Sequence, residues 1–417
     1  MAESAPVRFD AGELLAELTG NVLPFWSSVP VDPAGGFHGA VGNDGAVDDT
    51  VERSAVLCSR VLWAFSTAAT ELDEPGHLQV AGHAYRYLRD VLRDPGHGGV
   101  FWSVAADGTV VDDRKHTYAQ AFAIYGLVAY SVATDDDEPL SLAREIFELI
   151  EQHTADGELG GYVEAAARDW SPAAEMRLSL RDLDAPKSMN THLHVMEAYS
   201  ALAARTGDPR VRDRLSAVLI DILDHVLADD EGAFRLFFDR QWRPLTGAVS
   251  FGHDIEGAWL LTEAAHVLGD AHLIRRAERA AVQLAVAVLD HGIDDEGFIL
   301  HEFEPAVGTR DGHADRSSHW WAQAEGMVGF LEAYRITGDP AFEAAAASCW
   351  RVISRHHIDR DRGDWLKVLD ADRAPDDTYP KAGPWECPYH HVRALLEAAR
   401  RLTTTNTPYP AWNGQPA

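Results

Sequence analysis

The stretch Lys187-Ser-Met-Asn-Thr-His-Leu-His-Val-Met-Glu-Ala-Tyr-Ser-Ala-Leu-Ala-Ala-Arg-Thr-Gly-Asp-Pro209 decides the fold. It opens on a polar cluster, continues with apolar residues at helical spacing, and stops at Thr206-Gly-Asp-Pro209. Gly207 suits a left-handed helix end, and Pro209 suits the first turn of a new helix. The stretch therefore reads as one helix turning tightly into another. The same punctuation returns at Leu268-Gly-Asp270 and Thr337-Gly-Asp-Pro340.

Working outward, the 3.6-residue periodicity of apolar positions predicts helices over 10–28, 53–71, 76–93, 115–134, 138–153, 188–206, 209–228, 253–268, 270–290, 318–337, 340–357 and 386–402. Odd-numbered helices follow even-numbered ones after short turns. Even ones follow odd ones after segments of mostly about 20 to 35 residues, longer than ordinary loops. The unit is a helix pair repeated every roughly 60–75 residues. Six such pairs, each hiding one face, close into an all-α (α/α)6 barrel of twelve helices; a linear solenoid is the rival architecture. Short β-hairpins are expected in the long loops at one end. Gly98–Gly108 reads as a hairpin, and Phe234–Asp239 and Phe298–Phe303 as short strands. No Pro/Ser-rich linker interrupts the chain, so residues 1–417 form a single catalytic domain, with the tail from Thr403 as a terminal cap.

The 36 basic and 66 acidic residues give a net charge of −30, which repels phosphate backbones and anionic membranes and suits a neutral ligand. No apolar run reaches the length of a membrane span, and the first ten residues lack the apolar core of a leader. Cys58, Cys349 and Cys387 are odd in number and widely spaced, as expected of reduced thiols in a cytoplasmic protein.

Four segments then stand out: Lys187–His194, Gly252–Trp259, His319–Glu325 and Trp385–His391. Each concentrates His, Trp, Asn or carboxylate residues at the start of a helix that follows a long connection. Even-numbered helices therefore aim Arg60, Tyr118, Asn190, His194, His253, Glu256, Trp321 and His390 at one end of the ring. Asn190 and His194 are four apart and His253 and Glu256 three apart, so each pair shares a helix face. Imidazole changes charge near neutral pH and suits general acid/base work. Two imidazoles on opposite sides of a substrate remove a proton from one face of a carbon and return it to the other. The enediolate formed next to a carbonyl needs a cation such as Arg60 or a further imidazole. Trp320, Trp321 and Trp385 offer apolar platforms for sugar rings; Glu256, Asp182 and Asn190 read hydroxyls.

Plainer assignments cover other residues. His192 and His194, two apart, face different ways and do not share a metal. His356-His357 complements the dipole at the end of an outer helix. Glu52-Arg53 and Asp112–Lys115 are solvated loop charge. Cys58 and Cys387 pack in the core, and Gly35-Gly-Phe and Gly96-His-Gly-Gly open no phosphate-binding helix.

The same residues carry a resemblance. Gly35-Gly-Phe-His-Gly39, Ser59–Ser66, Lys115–Phe122, Asp169-Trp-Ser-Pro172, Lys187–His194, Gly252–Glu256, Trp320–Glu325 and Trp385–His390 resemble the cellobiose 2-epimerases of the N-acylglucosamine 2-epimerase superfamily over nearly the whole chain. The resemblance implies an (α/α)6 barrel and epimerisation at C2 of a reducing-end sugar without metal or other cofactor, by a monomer or homodimer. It implies His253 and His390 as the acid/base pair, and His194 and Glu256 at O1 and O2. Arg60 becomes the enediolate-stabilising cation, with Tyr118, Asp182, Asn190, Trp321 and Trp385 binding sugar. Trp320 stands beside Trp321, and Asp184 beside Asp182, as alternative assignments. His391 departs from the family, which often has Asn there. Related enzymes epimerise or isomerise free mannose, and (α/α)6 barrels also host glycoside hydrolases, which need two carboxyls across the scissile bond. A non-catalytic sugar-binding protein would keep the Trp residues without needing the His pair.

Overall fold

Twelve helical stretches dominate the computed structural model, which describes residues 9–228, 231–305 and 312–403. They are α1 (Ala11–Glu17, continued by a π turn Leu18–Val22 and a last turn Leu23–Trp26), α2 (Ala55–Glu71), α3 (Leu78–Tyr87, then a π turn Leu88–Leu92) and α4 (Thr117–Thr134). Then come α5 (Asp137–His153), α6 (Met189–Thr206), α7 (Pro209–Asp221, then a π turn Ile222–Val226) and α8 (Phe251–Leu268). Last are α9 (Ala271–His291), α10 (Trp320–Thr337), α11 (Pro340–Val352, then a π turn Ile353–His357) and α12 (Tyr389–Thr403). The expected tail beyond Thr403 lies outside the described residues.

The tight turns form for the reasons the sequence supplies. Gly207, Gly269 and Gly338 end α6, α8 and α10 at φ of 62°, 70° and 72°, where a side chain would be strained. Asp208, Asp270 and Asp339 then cap the following helices by accepting backbone N–H bonds. These turns make α6–α7, α8–α9 and α10–α11 antiparallel neighbours.

Two helix populations result. The even helices are buried nearly all round; α4 is buried without interruption from Thr117 to Ala129. The odd helices bury one stripe, as in α5 with Leu140, Ala143, Ile146, Phe147 and Ile150. Contacts run α2 to α4, α4 to α6, α6 to α8, α8 to α10, α10 to α12, and from α12 back to α2. Glycine permits two of the closest approaches. A Cβ on Gly126 would lie 2.6 Å from the Ser59 carbonyl, and one on Gly329 2.2 Å from that of Ile255.

Small antiparallel ladders stand at the starts of these mutually contacting helices. The two residues before α2, α4, α6, α8 and α10 each pair with a strand in a later loop: Arg53–Ser54 with Ser103–Val104, Lys115–His116 with Ala165–Ala166, Lys187–Ser188 with Phe237–Phe238, Val249–Ser250 with Phe303–Glu302, and Ser318–His319 with Leu369–Val368. The 98–108 hairpin exists, as Ser103–Val104 on Val110–Asp112. The other two strand expectations need correction. Ala233–Phe234 folds back on Leu227–Ala228 while Phe237–Phe238 joins Lys187–Ser188, and the strand near Phe298 begins only at Glu302.

The loop charge also needs correction. Arg53 is buried and donates to the Gly35 carbonyl and to Asp32. Lys115 is fully buried, its Nζ 3.0 Å from Asp94, which also accepts from Arg168 at 2.9 Å. Lys187 repeats the device, with Asp156 at 3.3 Å and Arg240 Nε 2.9 Å from the same carboxylate. A buried ammonium needs a buried counter-charge, so these residues tie the loops to the ring. His357 is likewise no exposed dipole partner. It is buried, bonded to Ser318 Oγ at 3.0 Å and the Leu366 carbonyl at 2.8 Å.

Candidate active site

The strand-to-helix junctions fix the first turns of the inner helices. Glu164 accepts from the Ser188 N–H and the Thr191 hydroxyl, each at 2.8 Å, and Ser188 caps α6 through the Thr191 N–H. This holds the turn that carries Asn190 and then His194. Nδ1 of His194 is 3.0 Å from Glu197, one turn on. On α8, Nδ1 of His253 is 2.8 Å from the Ser250 hydroxyl. On α12, Nδ1 of His390 is 2.8 Å from Oε1 of Glu325, which α10 supplies.

His194 and His390 adjoin a buried ionic centre through Glu197 and Glu325, and His253 is joined to His390 by the Trp321 ring. Arg393, one turn beyond His390, donates to Glu197, Glu256 and Glu325, the last at 2.7 Å, and lies against the Tyr389 hydroxyl. Tyr389 also donates to Glu197, and Trp259 Nε1 donates to Glu325 at 3.0 Å. Glu256, Glu325 and His390 have the spacing of a metal triad, but Arg393 donates to both carboxylates. A second such group, Asp32, His38 and Asp49, has Arg53 between its carboxylates.

Aromatic contacts join the remaining candidates. The Trp321 ring lies 4.7 Å from His253 and 5.6 Å from His390. Gly252 makes room for it, since a Cβ there would meet Trp321 at 2.5 Å. Tyr118 lies 5.1 Å from His194 and 5.8 Å from Trp385. Arg60 donates to the Tyr118 hydroxyl at 2.6 Å and stacks over Phe122. Beside Trp385 is a cavity of about 310 Å³, lined also by Trp102, Ser179, Arg177, Asp112 and Glu52. None of the three imidazoles lines it; Trp385 joins it to Tyr118, which in turn lies against His194.

Electrostatics follow from burial. Burial, then His194, His301 and Arg60, lowers His253 to about 3. Burial and the nearby cations Arg60 and Arg393 also hold His390 well below its usual value. Both imidazoles are therefore neutral at pH 7 and able to accept a proton. Burial and the Glu325 charge raise Glu256 to about 7, against the pull of Arg393. Burial pushes Glu197 the same way, yet Arg393 and His194 bring it down to about 2. Burial raises Glu325 as well, against Arg393 and the Trp259 hydrogen bond, so these adjacent carboxyls resist ionising together.

The structure brings together Arg60, Tyr118, His194, His253, Glu256, Trp321, Trp385 and His390. Asn190 sits one turn before His194, with a buried Oδ1 that has no partner. Asp182 is half-buried on the 167–186 loop, accepting from Ser179. Asp184 instead braces that loop at the Met176 N–H. Trp320 packs inside with the Lys367 ammonium 5.3 Å from its ring, and Trp321 is the half-buried member of the pair. His391 turns away from the imidazoles to Asp364, at 2.8 Å, and stacks on Trp365. Glu325 and Tyr389 fall inside the conspicuous segments without a role there, and Glu197 and Arg393 escaped the sequence reading. Their signal was position: Glu197 and Arg393 fall three residues after His194 and His390, as Glu256 does after His253.

Neutral His253 and His390, the guanidinium groups of Arg60 and Arg393 and flanking indoles are equipment for moving protons on a small polar ligand. The chain belongs to the N-acylglucosamine 2-epimerase (GlcNAc 2-epimerase) family, whose pattern matches residues 35–394. It is 39% identical to the cellobiose 2-epimerase of Bacteroides fragilis, over 92% of this chain and 97% of that one. A solved cellobiose 2-epimerase from Bacillus thermoamylovorans superposes with a TM-score of 0.88 at 34% identity, covering 94% of this chain and 99% of that one. A D-mannose isomerase structure shares the fold with a TM-score of 0.81 at 21% identity, over 95% of this chain and all of that one.

Proposed function

We propose that this protein is a cellobiose 2-epimerase. It interconverts glucose and mannose units at the reducing end of a β-1,4-linked disaccharide. The observation that carries this reading is the pair His253 and His390, on different helices, each within ring contact of Trp321 and each held at Nδ1. The similarity to cellobiose 2-epimerases over nearly the full length supports it.

The C2 proton becomes acidic only when C1 is a carbonyl, so the open-chain sugar is the reacting form. One imidazole takes the C2 proton through Nε2, and the electron pair moves onto the C1 oxygen. Arg60 stabilises the enediolate, His194 accepts from the hydroxyl at O1 through Nε2, and Glu256 holds the hydroxyl at C2. The other imidazole, charged beforehand by a proton from solvent, delivers that proton from Nε2 to the opposite face of C2, and the first returns its proton to solvent. His390 is the better holder of the imidazolium, because its Nδ1 faces a carboxylate while that of His253 faces only a hydroxyl. Trp321 and Trp385 present flat faces to the sugar, with Tyr118, Asn190 and Asp182 at its hydroxyls. The cavity beside Trp385 favours a disaccharide, since 310 Å³ is at the scale that encloses small ligands.

We read residues 1–417 as one domain with the inner helices closed into an (α/α)6 barrel; the return contact from α12 to α2 supports closure. Three buried free cysteines support a reducing, cytoplasmic setting. Arg60 and Arg393 supply the positive charge, so the reaction proceeds without metal.

The test offers cellobiose, mannose and glucose separately to chelator-treated protein and identifies the products. Conversion of cellobiose to glucosyl-mannose is expected. Turnover of free mannose alone would reassign the substrate, glycosidic cleavage would overturn the reaction, and loss of activity on metal removal would overturn the metal-free mechanism.

A further inference from the structure

We propose that Arg393 is the positioning residue of this site: one buried guanidinium that keeps the carboxylates behind His390 and His194 ionised, and so holds both imidazoles with Nε2 free to take a proton. The inference rests on the epimerase reading and adds to it a residue that touches no substrate.

The geometry is specific. An ionised carboxylate only accepts hydrogen bonds, so Glu325 at 2.8 Å from His390 and Glu197 at 3.0 Å from His194 each place the imidazole proton on Nδ1. Nε2 is then the lone-pair nitrogen. A protonated carboxyl would reverse this: its O–H would donate to Nδ1, the ring proton would move to Nε2, and Nε2 could no longer act as a base. Whether Glu325 and Glu197 stay ionised is therefore a catalytic matter.

Three carboxyls crowd this spot, and burial opposes the charge of each. Arg393, itself 1% exposed, is the cation that donates to all three. The groups facing the centre come from every inner helix. Arg60 on α2, His194 on α6 and His253 on α8 add positive or titratable charge. Tyr125 on α4, Glu263 on α8 and Tyr389 on α12 are neutral or acidic neighbours. Among the described residues only Arg393 bonds to the carboxylates of both imidazoles. The fold around it is also arranged for a cation, with the Tyr389 and Trp259 rings 4.1 and 4.7 Å from the guanidinium carbon.

A guanidinium that merely stabilised the fold would, when replaced, lower activity alike at every pH. A positioning role gives a different signature. Without the cation the carboxyls take up protons at neutral pH and release them only at higher pH. The experiment measures kcat and KM for cellobiose from pH 5 to 9 in wild type, Arg393→Gln and Arg393→Lys, with 15N NMR of the histidine tautomers in wild type. For Arg393→Gln we expect kcat at pH 7 to fall at least about 10²-fold, the scale of a lost general base, with KM little changed. Its acid limb should move up by about one pH unit or more, and Arg393→Lys should recover part of both. Wild-type His390 and His194 should carry the proton on Nδ1. Wild-type turnover in Arg393→Gln, or an equal loss at all pH values in both variants, would overturn the proposal. Should Arg393→Gln fail to fold, Arg393→Lys and the wild-type tautomers decide it, and Nε2–H on His390 would refute it. A wild-type enzyme inert toward every sugar would instead sink the epimerase reading, and the tautomers would still decide the role of Arg393.

Discussion

Nδ1 of each imidazole in the site has a side-chain partner, and the partner differs: Glu325 for His390, Glu197 for His194, the Ser250 hydroxyl for His253. Replacing His253 or His390 with Asn should cut kcat at least about 10²-fold, measured on cellobiose; loss of KM alone would assign them to binding. Because burial depresses both imidazoles, the acid limb of wild-type kcat/KM should lie below the ordinary histidine value of 6.5. A limb at 6.5 would mean that the base is a solvated histidine elsewhere. Gly252→Ala should displace Trp321, whose ring occupies the place of the missing Cβ. It should reduce kcat/KM, and an unaltered value would show that Trp321 is no platform. The sequence revealed the imidazoles and indoles because they cluster at helix starts. It hid Glu197 and Arg393 because a charged residue in mid-helix looks like solvated surface until its neighbours are placed.

At the scale of elements, helix identity was legible and charge placement was not. Helices such as α6 and α8 follow from apolar periodicity ended by glycine, and both are local signals. The ladders are not local: Lys187–Ser188 pairs with residues some fifty positions away, and a two-residue strand leaves no alternation to read. Lys115 looked like loop charge for the same reason, its counter-ion Asp94 lying in a preceding loop. Asp94→Ala would leave the Lys115 ammonium buried without its carboxylate. It should destabilise the protein by about 3–5 kcal/mol in urea unfolding, and a change near zero would show that the pair contributes nothing net. The π turns ending α3, α7 and α11 had no sequence signal. Each widens the last turn and delivers an extended residue, Arg93, Leu227 or Ile358, into the next loop.

For the whole molecule, alternating connection lengths separated inner from outer helices, and the contact order α2–α4–α6–α8–α10–α12–α2 follows that division. Acid should unfold this assembly steeply. Below about pH 4.5 the raised carboxyls, such as Glu256 and Glu164 near 7, are protonated in both folded and unfolded chains and no longer matter. The depressed groups do matter there. His192, held by burial at about 4, and Glu197, held at about 2, bind protons in the unfolded chain before the folded one. Stability from Glu197 is full above its unfolded value of 4.5, and that from His192 above 6.5; both are lost as pH falls toward the folded values. Tm should therefore drop between pH 4.5 and 3, and a flat profile would contradict the burial of His192 and the pairing of Glu197 with Arg393 and His194.

The central claim is proton exchange at C2 between two imidazoles. Turnover of cellobiose in deuterated water, followed by NMR of the isolated product, tests it most directly. The account predicts glucosyl-mannose with deuterium at C2; an epimerised product that keeps its original C2 proton would contradict it.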